Sequence, residues 1–249
     1  MIRLKETIYF LIASAVIGYL FAFKQLMIGK FLPWLSYGVL AFIMIFLNAF
    51  ACEIAMTRFG CDAEYRLWGT RRVSLILKGI FPFWRHKEYF KREIPLWLIW
   101  PLIFIFATWG YVRWLAVLVF EAVPIHVARI KAGRIYAELT EWDLALIATI
   151  GPLVNVLLAI VSKFLTGDIF EIFATMNIWY ALFNLLPLSD FNGAKIFYGS
   201  KMLWAFLFVF TVAILILLGI TNVVTTLIAA GVLGLIAVVF MYLWFEKKY

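Results

Sequence analysis

The dominant pattern along the chain is a series of long apolar runs separated by short polar segments. Uncharged runs of about 17 or more residues are long enough to cross a lipid bilayer as helices. The runs of this kind are Thr7–Phe23, Phe31–Cys52, Ile94–Val112, Leu144–Ser162, Ile172–Ser189 and Met202–Phe245. The last is long enough for two crossings, and we expect it to turn near Gly219–Asn222. The pattern predicts an all-α polytopic membrane protein with about six to eight transmembrane or re-entrant helices.

Two shorter stretches follow different patterns. Val73–Trp84 is apolar but contains Lys78 and Pro82 and is too short to span a bilayer, so we expect a re-entrant, interfacial or half-hairpin segment. Phe120–Tyr136 contains β-branched residues in alternation, which predicts a strand or hairpin at the membrane interface. A small interfacial β-hairpin therefore completes the predicted helical fold.

Composition supports the membrane class. Hydrophobic residues make up 66% of the 249 residues and charged residues 14%, with a mean hydropathy of +1.00. A soluble domain is about 45–50% apolar and about 25% charged, so a soluble enzyme, a disordered chain and a coiled coil are excluded. No repeat or linker interrupts the pattern, and we expect a single membrane domain over residues 1–249. Two cysteines, Cys52 and Cys61, are too few for a disulfide scaffold.

The distribution of Lys and Arg predicts the orientation. The net charge of +8 comes from basic residues beside the apolar runs, which is typical of positive-inside topology and not of a nucleic-acid-binding face. Arg3 and Lys5 precede the first run and no small-residue cleavage site follows it, so we expect a retained helix. If the proline-containing run Ile94–Val112 forms a hairpin, most basic residues lie on the side of both termini. We therefore expect an integral protein of the cytoplasmic membrane with both termini in the cytoplasm.

Polar side chains inside the apolar runs are the candidate functional residues, because each is costly to place in lipid. Asn155 ends the sequence Gly-Pro-Leu-Val-Asn that begins at Gly151, which we expect to open a helix. Asn184 begins the sequence Asn-Leu-Leu-Pro-Leu-Ser-Asp-Phe-Asn-Gly, which ends at Gly193 and which we expect to close another helix. Glu53 lies at the end of an earlier run.

Together these segments resemble the site-2 protease family of intramembrane zinc metalloproteases, especially its archaeal branch. Two family motifs, G-P-x-x-N and N-x-x-P-x-x-x-x-D-G, align in order with this chain. The matching positions are Gly151, Pro152, Asn155, Asn184, Pro187, Asn192 and Gly193. The third motif, H-E-x-x-H, aligns with Cys52–Met56. The resemblance implies a site-2-protease-like core over about residues 40–200, flanked by generic helices at 7–23 and 202–245.

The metal-ligand positions depart from the family. The resemblance implies zinc held by two histidines and one aspartate, but these positions carry Cys52, Met56 and Asn192. A thioether is a poor zinc ligand, and a neutral amide lacks the charge that helps to hold a divalent cation. The two histidines of the chain, His86 and His126, lie elsewhere and cannot form the motif. We therefore expect no zinc and no other cofactor.

Glu53 occupies the general-base position of the family. Without a metal the pKa of water stays near about 15.7, so a carboxylate alone cannot activate it, and we expect Glu53 to be protonated or paired, for example with Arg58. Cys52 and Met56 are soft ligands that suit Cu(I), but packing within a helix bundle is the favoured interpretation. A nucleophilic Cys52 would need an activating histidine such as His126, which is distant in sequence.

These residues predict a catalytically degenerate membrane protein that keeps the core of a protease without its metal. The expected partners are the lipid bilayer and other membrane proteins or a transmembrane peptide segment, with no nucleic acid. In the family that the chain resembles, a comparable strand can receive an extended substrate segment, and the strand predicted from Phe120 could still do so because edge pairing needs only backbone groups. For this strand, the alternative is an ordinary interfacial hairpin. The alternative is an active intramembrane metalloprotease with non-standard ligands. A transporter or channel is disfavoured because the runs carry few ionisable groups and no inverted repeat.

Overall fold

The computed structural model describes residues 3–72, 89–124, 139–188 and 190–246, and within these ranges the chain is mostly helical. The helices are α1 (Leu4–Met27), α2 (Leu32–Arg58), α3 (Leu96–Ala107), α4 (Glu141–Lys163), α5 (Asp168–Asn184), α6 (Asn192–Gly199), α7 (Lys201–Leu217) and α8 (Val223–Glu246). The strands are β1 (Cys61–Leu67), β2 (Thr70–Arg72), β3 (Tyr89–Ile94) and β4 (Leu118–Pro124). The predicted Val73–Trp84 segment lies outside the described residues.

The helices bear out the membrane character of the chain. In the described ranges, α1, α2, α4 and α8 are long and apolar enough to cross a bilayer, whereas α3 and α7 are apolar but shorter. The run Met202–Phe245 divides into α7 and α8 at 218–222, as predicted. The run Ile172–Ser189 is helical only to Asn184, because Pro187 disfavours helical backbone at the residue before it.

Helices α1 and α2 form an antiparallel pair that is closest at two glycines. A Cβ atom on Gly18 would lie 2.7 Å from the Cα of Gly38, so only glycine allows the two backbones to approach this closely. The indole Nε1 of Trp34 donates to the carbonyl of Ala15 at 3.0 Å across the same pair. Close packing of small residues is a common way to join helices in lipid, where burial of apolar surface gives little driving force.

The segment that follows α3 reverses direction, as expected for a hairpin. Trp109 and Gly110 both have positive φ, 52° and 79°, at the reversal. The returning chain then brings the ring of Trp114 to 5.6 Å from that of Trp100 and 5.2 Å from that of Phe104, so it runs back along α3. Residues 114–120 are buried, which places this extended return inside the protein rather than against lipid.

The strand that the sequence predicted near Phe120 pairs, within the described residues, with a distant strand. A strand does begin near Phe120, but β4 pairs antiparallel with β1, in a register from Cys61 opposite Pro124 to Leu67 opposite Leu118. A second two-stranded sheet joins β2 and β3. The pairing of β1 with β4 is non-local, so no turn signal in the sequence could reveal it. The remainder of the predicted strand, 125–136, lies outside the described residues.

Candidate functional site

One face of α2 carries the first group of candidate residues. Asn48, Cys52 and Met56 are spaced four residues apart and are all buried, with 9%, 1% and 0% of their surface exposed. This spacing places successive side chains on the same helical face. Glu53 lies beside that face and is half-buried. The positions that the resemblance assigns to two metal ligands therefore do point into the protein.

The three sequence motifs converge on this face. The side-chain Nδ2 of Asn48 donates to the carbonyl of Gly151 in α4 at 2.9 Å. A Cβ atom on Gly151 would lie 2.9 Å from Nδ2 of Asn192 and 3.2 Å from Nδ2 of Asn48. The thiol of Cys52 points to Oδ1 of Asn48 at 3.9 Å. Residues far apart in sequence thus meet around Gly151.

The expectation that Gly151 and Pro152 open a helix is wrong. Both lie in the middle of α4, which begins at Glu141 and is capped by the Thr140 side chain accepting from the Asp143 amide. The role of Gly151 is steric, because any side chain there would displace the amides of Asn48 and Asn192. Pro152 lacks an N–H group and so leaves a carbonyl of the preceding turn without its helical partner.

The polar residues of the two motifs have different environments. Asn184 ends α5 and donates from Nδ2 to the Tyr180 carbonyl of its own helix at 3.0 Å, instead of bonding between helices. Asn155 is fully buried, and neither Nδ2 nor Oδ1 has a hydrogen-bond partner in the part of the chain that is described. Within the described ranges, neither asparagine side chain therefore makes a hydrogen bond between helices.

The loop between α5 and α6 is held closely against the start of α6. Pro187 lies in the irregular segment that follows Asn184. A Cβ atom on Gly193 would lie only 2.0 Å from the carbonyl oxygen of Leu185, so this position has no room for a side chain. The same carbonyl accepts from Nε1 of Trp204 at 2.8 Å. Gly193 and this bond fix Asn192 at the beginning of α6, opposite Gly151.

Lys195 is a residue of the candidate site that the sequence interpretation missed. Its Nζ donates to the carbonyl of Phe120 in β4 and lies 3.7 Å from the centroid of the Phe120 ring. The available signal was its place three residues after Asn192, because residues at that spacing share a helical face. An ammonium group therefore lies in the same region as the positions that carry zinc ligands in the resembling family.

Burial and nearby charges act on Lys195 in opposite directions. Burial lowers the pKa of Lys195 to about 8, while the carboxylates of Asp190 and Glu121 counteract part of that effect. Arg66 links these two acids, with Nη2 at 2.6 Å from Oε1 of Glu121 and 2.9 Å from Oδ2 of Asp190. The ion pairs connect β1, β4 and the loop before α6, and so hold the parts that surround Lys195.

The direction of the Tyr65 amide in β1 shows which backbone groups of β4 point away from β1 and towards Lys195. Glu6 accepts from the backbone amide of Tyr65 at 3.1 Å, so that amide is directed away from β4. Tyr65 and its register partner Phe120 then form a non-hydrogen-bonded pair, and the Phe120 carbonyl points to the outer edge of β4. The Nζ of Lys195 donates to this carbonyl.

Burial raises the pKa of Tyr65 well above its ordinary value. The Tyr65 hydroxyl, which donates to the Ala49 carbonyl, therefore stays protonated.

The enclosed space at the site is small. A cavity of about 20 Å³ lies between α2, α5, α6 and β4, and its polar lining consists of Asn48, Tyr65, Tyr180, Asn184 and Asn192. A cavity of this size holds about one water molecule. Within the described ranges, no three or more His, Cys, Asp or Glu side chains are grouped so that they could hold a metal ion. His86 and His126 lie outside those ranges, so the structure does not test their part in any site.

Lys195 is expected to make stability depend on alkaline pH. Its pKa is about 8 in the folded protein against 10.5 for an ordinary lysine, so the unfolded chain binds more protons between those values. The free energy of unfolding therefore rises with pH over that interval, on the order of 2 kcal/mol for this partly exposed group. Thermal unfolding in detergent should show the rise, and Lys195→Met should flatten it. The exposed Lys201→Met should leave the rise intact; an unchanged slope in Lys195→Met contradicts the assignment.

Comparisons with known proteins do not add a family assignment. No protein-family model matches the chain, and no match is found among curated proteins or among solved structures. The resemblance to site-2 proteases therefore rests on the order and spacing of the motif residues in this sequence.

Proposed function

We propose that this chain is a catalytically inactive, site-2-protease-like membrane protein that acts by binding a membrane partner. The observation that carries the proposal is the meeting of Asn48 and Asn192 around Gly151, with Cys52 against Asn48 and an ammonium group nearby. Of these residues, Cys52 and Asn192 stand where the family that the chain resembles has zinc ligands. The convergence supports a common core, and the side chains present support the loss of its chemistry.

The donor set does not fit a hydrolytic zinc site. Cys52, Met56 and Asn192 offer one thiol, one thioether and one neutral amide, whereas catalytic zinc is held by histidines and carboxylates with one open position. The positive charge of Lys195 opposes a divalent cation in the same region. With no metal to lower the pKa of water, Glu53 cannot remove a proton from water at neutral pH to form a nucleophile. The chain thus retains a general-base position without a reaction for it to serve.

The outer edge of β4 is the surface on which a partner segment would bind. Backbone groups at Phe120 and at alternate residues beside it point away from β1, and an extended peptide can pair with such an edge. Lys195 now satisfies the Phe120 carbonyl, and the adjoining cavity is too small for a peptide. Binding would therefore require Lys195 to release that carbonyl. The partner would be an extended or transmembrane segment of another protein in the cytoplasmic membrane, with both termini of this chain in the cytoplasm.

Metal content of the purified chain tests the proposal directly. The full chain, purified in mild detergent without a metal-binding tag and supplemented with zinc or copper, should contain well under one metal per chain by elemental analysis. Cys52→Ser and Met56→Leu should not change that content, with Cys61→Ser as the matched control. Near-stoichiometric metal that disappears in Cys52→Ser and Met56→Leu but not in Cys61→Ser would overturn it in favour of a protease with non-standard ligands.

A cleavage assay separates the two functions independently of metal analysis. Wild type and Glu53→Gln are reconstituted with a fluorogenic helical membrane peptide, with and without added metal. We expect equal background fluorescence for both proteins. Metal-dependent cleavage that Glu53→Gln abolishes would show a working active site and would refute the inactive assignment.

A further inference from the structure

A second polar pocket lies at the other end of the bundle, away from the candidate site. Its volume is about 310 Å³, and it lies where the last turn of α1, the first turns of α2 and α5 and the segment after α3 come together. The residues that matter chemically are Phe21, Gln25, Tyr37, Arg113, Asp168 and Thr175. These helix ends are also the ends of spans, since α1 ends at Met27 and α2 begins at Leu32. The pocket therefore lies at the level of the span ends, where we expect the boundary between membrane and water.

The pocket contains buried polar atoms that the described residues do not satisfy. Nε of Arg113 and Oε1 of Gln25 are both buried and lack a hydrogen-bond partner in the described ranges. The guanidinium carbon of Arg113 lies 4.5 Å from the centroid of the Phe21 ring, which holds its plane against an apolar wall. Burial lowers the pKa of Arg113, but an arginine remains charged at neutral pH. A buried donor and a buried acceptor without partners indicate a ligand that carries both an acceptor and a donor.

The pocket lining also carries both signs of charge. Arg113 supplies one cationic group, and the exposed carboxylate of Asp168 lies on the rim at the start of α5. Glu171 also lines the rim, but its carboxylate is already 3.8 Å from Nζ of Lys163. The lining thus offers one group that suits an anion and one that suits a cation with N–H groups. Tyr37 and Thr175 add polar side chains beside them.

We infer that this pocket binds a zwitterionic phosphate–amine group, of the kind found in the headgroup of an ethanolamine phospholipid. The phosphate would accept from the fork of Arg113, which matches tetrahedral oxyanions in geometry and charge. The primary ammonium would donate to Gln25 Oε1 and to the carboxylate of Asp168. A choline headgroup has no N–H to donate, and a glycerol headgroup has no positive charge, so the pocket should distinguish ethanolamine from both. The inference is independent of the function proposed for the other site.

Competitive lipid retention tests the inference on the full chain. The detergent-purified protein is incubated with equal amounts of phosphatidylethanolamine, phosphatidylcholine and phosphatidylglycerol that share the same acyl chains. After repurification, bound lipid per chain is measured by mass spectrometry. We expect about tenfold preferential retention of phosphatidylethanolamine, which corresponds to about 1.4 kcal/mol. Arg113→Gln should lose this preference, whereas Arg58→Gln, an exposed arginine at the opposite end of α2, should keep it.

A second variant keeps the inference testable if Arg113→Gln does not fold. Asp168 is exposed, so Asp168→Asn should leave the fold intact while phosphatidylethanolamine and phosphatidylglycerol become equally retained. Soluble phosphoethanolamine is then added to the wild type to separate two sources of the same chemistry. Displacement of the lipid supports recognition of the free headgroup, and persistent preference without displacement supports an intact lipid. Equal retention of the three lipids by wild type, or unchanged preference in Asp168→Asn, would overturn the inference.

Discussion

Gly193→Ala is expected to prevent the chain from reaching its folded state. A Cβ at this position would lie 2.0 Å from the carbonyl oxygen of Leu185 and 2.6 Å from that of Leu186. Both contacts are with backbone, which cannot rotate away as a side chain can. The cost should exceed about 3 kcal/mol, the upper range of ordinary overpacking. Thermal unfolding and size-exclusion chromatography in detergent should show loss of the monodisperse folded protein.

Gly231→Ala is the matched control for this substitution. Gly231 is also a helical glycine, in α8, but a Cβ there would meet no atom within 4 Å. Removing a glycine from a helix interior should stabilise the protein by about 0.5–1 kcal/mol. Equal stability of the two variants would mean that the loop between α5 and α6 does not lie against Gly193.

The helices were predictable because their signal is local. The division of Met202–Phe245 into two helices follows from chain length and from the turn residues near Gly219. The return of the chain after α3 was predictable from its prolines and glycine, since they disfavour one continuous span. What remained unpredictable is non-local, above all the pairing of β1 with β4 across the 50 residues between them.

The candidate site, too, was predictable only where the signal lies within one element. Cys52 and Met56 could be placed on one face of α2 from their spacing alone. That Asn192 would lie near them was only what the resemblance implied. The steric role of Gly151 could not be predicted, because it depends on two asparagines from other helices. Lys195 could be placed near Asn192 along α6, but its contact with Phe120 requires the position of β4. Sequence spacing thus locates residues within an element, and contacts between elements need the fold.

Rebuilding the ligand set should convert the chain into a zinc-binding protein. The combined variant Cys52→His, Met56→His and Asn192→Asp restores two histidines at i and i+4 on the buried face of α2, and places a carboxylate next to Gly151. Such a set holds zinc with one position open for water. We expect the content to rise from well under one to about one zinc per chain, measured by elemental analysis after dialysis.

Lys195 should limit how tightly the rebuilt site binds. Its ammonium would lie in the same region as the metal, and repulsion between the two charges is strong where water is largely excluded. Adding Lys195→Met to the rebuilt variant should therefore raise the zinc affinity by about tenfold or more, because each 1.4 kcal/mol of repulsion relieved is a factor of ten. Competition with a chelator of known affinity measures this difference.

The decisive control keeps the chemistry and changes only its placement. Ile54 and Arg58 are also four residues apart on α2, but both are exposed. Ile54→His and Arg58→His together with Asn192→Asp therefore supply the same donors at the same spacing, directed away from Asn192, and should bind zinc no better than wild type. If this control binds as well as the rebuilt variant, the metal is held on the surface. The rebuilt variant is tested both with Lys195 and with Lys195→Met. If it binds no zinc in either form, the meeting of α2, α4 and α6 is not the remnant of a metal site, and the resemblance on which the proposed function rests is wrong.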